Sequence, residues 1–152
     1  MQIDSKLLGK VEFDESSIIQ MNEGLIGISG QKRFVLLEKE DFAPFGYLQA
    51  IDDPSLSLVV INPFLVEPEY QFYLPDEDLR TLEVSGANDF QLLAVVVFSA
   101  NVTDITVNLK APILINIHTR KAKQVILLNN DYGVSEPLIK PSTLAQTSPG
   151  KS

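Results

Sequence analysis

Cysteine is absent from this chain of 152 residues and histidine occurs once. The first absence excludes disulfides and thiolate ligation, and the two together remove the usual ligands of a tetrahedral zinc site. Long apolar runs are absent too. The longest, "LLAVVVF" from Leu92 to Phe98, falls far short of the roughly 20 residues that span a bilayer. The opening "MQIDSKLLGKVEFDES" has no cationic start followed by an apolar core, so no secretory signal is expected. Gly24, Gly27 and Gly30 lack both the Lys-Ser/Thr ending of a phosphate loop and the context of a dinucleotide site. No serine sits in a nucleophile elbow, and no base stands ready to activate one. These absences predict a cytoplasmic protein with no catalytic residue, no cofactor, no metal and no membrane contact.

What is present is an ordinary globular composition, 45% apolar and 21% charged, enough for one domain with its own core. The formal net charge is -8, and it is unevenly spread. Residues 1–39 carry six acids and five bases, residues 40–109 twelve acids and one base, and residues 110–152 two acids and six bases. A middle segment of that sign repels phosphate and attracts basic proteins. Direct nucleic-acid binding is not expected, and a cationic protein partner is.

Apolar residues recur mostly with period two between turn residues, which predicts strands. "GKVEFDES", "KRFVLLE", "YLQAID", "YQFYLP", "ITVNL", "APILINIHT" and "KQVILLN" read as strands, while "LSLVVINP" reads as a largely buried strand and "QLLAVVVFS" as a continuous apolar run of strand length. In "APILINIHT", Ala111, Ile113, Ile115 and Ile117 form one face, and Leu114, Asn116 and His118 the less apolar other. Asp76 after Pro75 is expected to cap one short helix over "EDLRTLEV", with Leu79 and Leu82 buried. The fold class expected is all-β: a compact antiparallel, β-barrel-like single domain over 1–139 with one short helix. The tail 140–152, with two prolines and little apolar content, is expected to be disordered.

Several groups invite a chemical reading, and each has a plainer one. His118 lacks an evident partner acid in the sequence. Asp52 and Asp53 resemble a carboxylate pair, but "IDDPS" is also a tight turn with Asx bonding, and adjacent side chains point apart. "DED" at 76–78 has neither the spacing nor the glycine of a calcium loop. The basic turn "HTRKAK" has no interleaved aromatic residue, which disfavours single-stranded nucleic acid. It reads as a charged hairpin tip that could also meet an acidic surface.

Three stretches, "NEGLIGISGQKRFVLLE", "LQAIDDPSLSLVVINPFLVEPEYQFYLPDEDL" and "NLKAPILINIHTRKAKQVILLNNDY", resemble the FliW family of flagellar assembly factors over about residues 3–138. The last is the most specific, with Asn108, Lys110, Pro112, Asn116 and Gln124 matching position by position. The first has Ile26 and Ile28 where the family usually has Pro and Phe. The resemblance implies a non-enzymatic barrel-like regulator that binds CsrA, a basic RNA-binding repressor of flagellin translation, and alternately binds flagellin. Combined with the charge map, it makes Asp52, Asp53, Glu67, Glu69, Asp76 and Glu77 candidates for CsrA binding. An amphipathic flagellin segment would need an apolar groove with a polar rim, and Phe64, Leu65, Tyr70, Phe72 and Tyr73 are candidates, with Phe72 more core-like than Tyr70 by alternation. Other readings left open are a small-ligand-binding β-barrel protein and an RNA-binding module using the basic hairpin.

Overall fold

The computed structural model describes residues 1–28 and 30–139, so the tail 140–152 lies outside the described residues. Strand β1 (Gln2–Ser5) pairs with β2 (Gly9–Glu12) in a separate hairpin. The main sheet holds β3 (Ile19–Gln20), β4 (Arg33–Leu37), β5 (Phe45–Ala50), β6 (Ser57–Ile61), β7 (Phe90–Val97), β8 (Thr106–Val107), β9 (Ile113–Asn116), β10 (Ala122–Gln124) and β11 (Glu136–Pro137). Its antiparallel order is β10-β9-β7-β6-β5-β4-β3. Along the free edge of β7, β9 covers the first half and β8 the second, with β11 beyond β8. The fold is therefore mainly β, as expected. It is barrel-like only loosely, because among the described residues its two ends meet at an isolated bridge between Gln20 and Lys121, where the Gln20 amide donates to the Arg120 carbonyl at 2.8 Å.

The sheet separates two cores. One gathers Ile19, Phe34, Leu48, Val60, Leu93, Ile113 and Ile115, and the other Ile61, Leu82, Leu92, Ala94, Val96, Leu114 and Val125. Successive side chains of a strand point to opposite faces, so β7 and β9 feed both. The less apolar face of β9 is buried along with the other: Ile113 to Asn116 are all buried.

Local sequence explains the connections. Gly24 and Gly27 adopt positive φ, +67° and +84°, where a side chain would be strained. The loop they shape is pinned where the Ile26 amide donates to Gln124 Oε1 at 2.9 Å. Two α-helices are present among the described residues, one more than expected: α1 (Pro63–Val66) and α2 (Asp76–Thr81). The first arises because Asn62 accepts from the Phe64 amide and Pro63 supplies a helix-ready φ. In α2 the cap position is Pro75, and Asp76 is the first helical residue, making no side-chain cap. Its charge still faces the positive end of the helix. Leu82 is buried as expected, while Leu79 is only half-buried. "YQFYLP" forms no strand.

Candidate protein-binding surface

The segment between the helices is held by side chains rather than by a ladder. Asn129 Nδ2 donates to the Gln71 carbonyl (2.9 Å), its Oδ1 accepts from the Tyr73 amide (3.0 Å), and the Leu128 amide donates to the Tyr73 carbonyl (2.8 Å). The Gln71 amide donates to the Tyr132 hydroxyl at 2.8 Å. This leaves Tyr73 58% exposed beside Leu128, with Leu65 on α1 60% exposed. Tyr70, a candidate for the groove, instead turns inward. It is 4% exposed, and its hydroxyl donates to the Leu109 carbonyl at 2.6 Å. Burial pushes its phenol well above the ordinary range. Phe72, expected to be the more core-like, is only half-buried. The alternation argument fails here because the segment is not a strand.

Opposite Tyr73 stand α2 and the Val84–Phe90 stretch, which carries a 3-10 turn. Together they bound an open groove of about 490 Å3 lined by Phe72, Tyr73, Leu74, Leu79, Val84, Phe90 and Leu128, among others. A hollow of about 350 Å3 shares Phe72 and Phe90 and extends to Phe64, whose ring sits edge-on to Phe72 at 5.7 Å. Phe64, Phe72 and Tyr73 thus come together. Leu79, Val84, Phe90 and Leu128 went unnamed as groove residues, and no local pattern could have joined four positions from separate elements. One groove wall is set by Asp89, whose Oδ2 accepts from the Ser85 amide and hydroxyl and the Gly86 amide at 3.0–3.2 Å. Its Oδ1 lies 3.2 Å from His118 Nε2. The Ser85 bonds, chiefly, hold the Asp89 carboxyl below the usual range.

The candidate carboxylates divide. Asp52 is spent in a two-point ion pair with Arg33 (2.6 and 3.1 Å), which lowers its pKa. Asp53 accepts from the amide and hydroxyl of Ser55 (3.0 and 2.6 Å), which lowers its own. The two diverge, as a turn requires. Glu67 is half-buried, while Glu69, Asp76 and Glu77 are exposed, and those last three have no side-chain partner among the described residues. The same holds for Glu40, Asp41, Glu83 and Asp104. Asp76 and Glu77 open α2, the helix whose Leu79 lines the groove. Asp78, in contrast, is buried and pairs with Lys123, which also reaches Glu23 at 3.0 Å.

The motif residues are consumed by the scaffold. Asn108 Oδ1 accepts from the Ala111 amide (2.9 Å), and the buried Pro112 offers its carbonyl to the Val125 amide (2.8 Å). The Lys110 ammonium is held by the Asn129 carbonyl and by Asn130 Oδ1. Gln124 Nε2 donates to the Ala111 carbonyl at 3.0 Å. Asn116, 2% exposed, donates to the Leu82 carbonyl (2.7 Å) and accepts from the His118 and Thr119 amides (2.9 and 3.1 Å). In the basic turn Arg120 adopts φ +64° and donates to the Ser17 carbonyl. Of Lys110, Arg120, Lys121 and Lys123, Lys121 alone has no hydrogen-bond or ion-pair partner for its charged group among the described residues. Among those residues no group of three or more His, Asp or Glu is placed to hold a metal ion, and no helix is long and apolar enough to cross a membrane.

The arrangement has known counterparts. The family model FliW matches residues 2–138. A flagellar assembly factor FliW from Caldicellulosiruptor bescii is 41% identical over 130 residues, covering 86% of this chain and 85% of that protein. One from Geobacillus thermodenitrificans is 40% identical over 132 residues, with 87% and 91% covered. A crystal structure of a flagellar assembly factor FliW superposes with a TM-score of 0.85 at 37% identity, covering 92% of this chain and 98% of that one.

Proposed function

Because the chain belongs to the FliW family of flagellar assembly factors, we propose that it acts without catalysis, as a cytoplasmic protein-binding regulator with two exchanging partners. One is CsrA, attracted by the unneutralised carboxylates and so kept from the flagellin message. The other is flagellin, whose amphipathic terminal segment lays its apolar face in the groove. Accumulated flagellin takes the protein and frees CsrA to repress, and exported flagellin returns it. The observation that carries this reading is the open apolar groove, lined in part by Leu79 of the helix that Asp76 and Glu77 begin, two exposed carboxylates with no side-chain partner among the described residues. Exposed carboxylates of this kind speed encounter with a cationic protein and penalise incoming phosphate.

The test is capture of purified CsrA by the immobilised protein, followed by addition of flagellin. Retention of CsrA, and its release in proportion to added flagellin, is expected. Absence of CsrA retention overturns the antagonism, and retention indifferent to flagellin overturns the exchange.

A further inference from the structure

The corner where β5 begins and β7 ends carries a second apolar surface that the reading above leaves unused. Phe98, just past β7, is 48% exposed and lies edge-on to Phe45 with ring centroids 5.1 Å apart. Val97 beside it and Val102 in the following 3-10 turn are exposed as well. Phe45, Pro44 and Ala43 border a cavity of about 270 Å3 whose other wall is Glu38, Lys39 and Glu40. The β4–β5 pairing sets Glu38 there: its Cγ lies 3.5 Å from where a Cβ on Gly46 would stand. Glu38, Glu40, Asp41 and Asp104 are exposed and make no side-chain bond among the described residues.

An aromatic ledge in water gains when covered, and carboxylates without a counter-ion favour a cationic cover. The one cation of the patch, Lys39, is outnumbered by Glu38, Glu40, Asp41 and Asp104, so two copies would meet with net repulsion, which sets self-association aside. We infer that this corner is a docking surface for a cationic segment of a protein partner. That segment sets an aliphatic or aromatic side chain on the Phe45–Phe98 ledge and a Lys or Arg in the cavity beside Glu38 and Glu40. Phe90, in the groove, begins β7 and Val97 ends it, about 23 Å apart at strand rise. Groove and corner are therefore able to be filled at the same time. The inference rests on the reading of the chain as a protein-binding factor, but not on the identity of either partner named above.

The test is a chemical-shift titration of the isotope-labelled full chain with two synthetic peptides, one alternating Leu and Lys, the other Leu and Glu. The Leu–Lys peptide is expected to shift amides in 38–45 and 97–104, and the Leu–Glu peptide to leave them alone. Phe98→Ser is expected to weaken binding about tenfold, and the Glu38→Gln/Glu40→Gln pair about tenfold at low salt. Both changes are at exposed positions, and unchanged spectra elsewhere confirm folding. Equal response to both peptides, shifts confined to the groove, or unchanged binding by the Gln pair overturns the inference. If CsrA and flagellin bind as proposed while this corner stays silent, the corner falls and the exchange stands.

Discussion

The β9–β10 hairpin and the groove around α2 are neighbours built on opposite rules. In the hairpin and the Asn108–Pro112 segment leading into it, most polar side chains have an internal partner. Asn108, Asn116 and Gln124 all hold backbone groups, and the cations Lys110 and Lys123 are neutralised or bonded. Around the groove the reverse holds: Tyr73 and Leu128 stay in water, and Asp76 and Glu77 of α2 have no side-chain partner among the described residues. Groups satisfied at home have little to offer a partner, whereas groups left wet and unpaired gain from one. The most distinctive stretch of sequence is therefore scaffold, and the more ordinary stretch between the helices is the exposed face.

Four measurements can break that contrast. The largest effect is expected for Asn116→Leu, which strands the Leu82 carbonyl and two turn amides in a buried site. A loss of about 2–4 kcal/mol in urea unfolding is expected, with partner affinity of the remaining folded protein unchanged. A stable variant that loses binding would place Asn116 at the interface instead. Next, Tyr73→Ser should leave unfolding nearly untouched yet weaken flagellin binding roughly tenfold, as loss of a covered aromatic anchor does. Unaltered affinity would remove Tyr73 from the contact. Third, Glu69→Gln/Asp76→Asn/Glu77→Gln should slow association with CsrA a fewfold, on the order of threefold at low ionic strength, and flatten its salt dependence. An unchanged salt slope in stopped flow refutes the electrostatic role of these three.

The smallest effect concerns acid. The Asp89 carboxyl titrates below its unfolded value because of the Ser85 bonds and, less, of His118. Its contribution is complete above the unfolded pKa of about 3.9 and disappears as pH falls through the lower folded value. Asp89→Asn should therefore flatten the loss of stability below about pH 4 while loosening the groove wall. An acid unfolding curve of unchanged slope would show that the carboxylate does not anchor that wall.

Strand positions were legible in the residues. "KRFVLLE" and "YLQAID" contain β4 and the end of β5, although neither strand alternates in burial: Phe34 and Val35 are both buried, as are Leu48, Gln49 and Ala50. The Asx turn at Asp53 was legible too, since its bonds are local. Burial of β9 on both faces was not, because period two looks the same whether the second face meets water or another core. Nor was Tyr70, whose place is fixed by a carbonyl on residue 109. The groove escaped for a related reason: Phe72, Leu79, Phe90 and Leu128 converge only after folding. Chemistry within a few residues can be read from a sequence, and chemistry across the sheet cannot.

The isolated bridge joining Gln20 to Lys121 implies a built-in seam. With only two residues in β3 and three in β10, few backbone bonds resist a splaying motion there, and local opening follows the least-bonded line. Amides along that line should be the first to exchange with deuterated solvent. Strand edges bared at that moment are also where a crowded, misassembled chain would begin to stick to its neighbours.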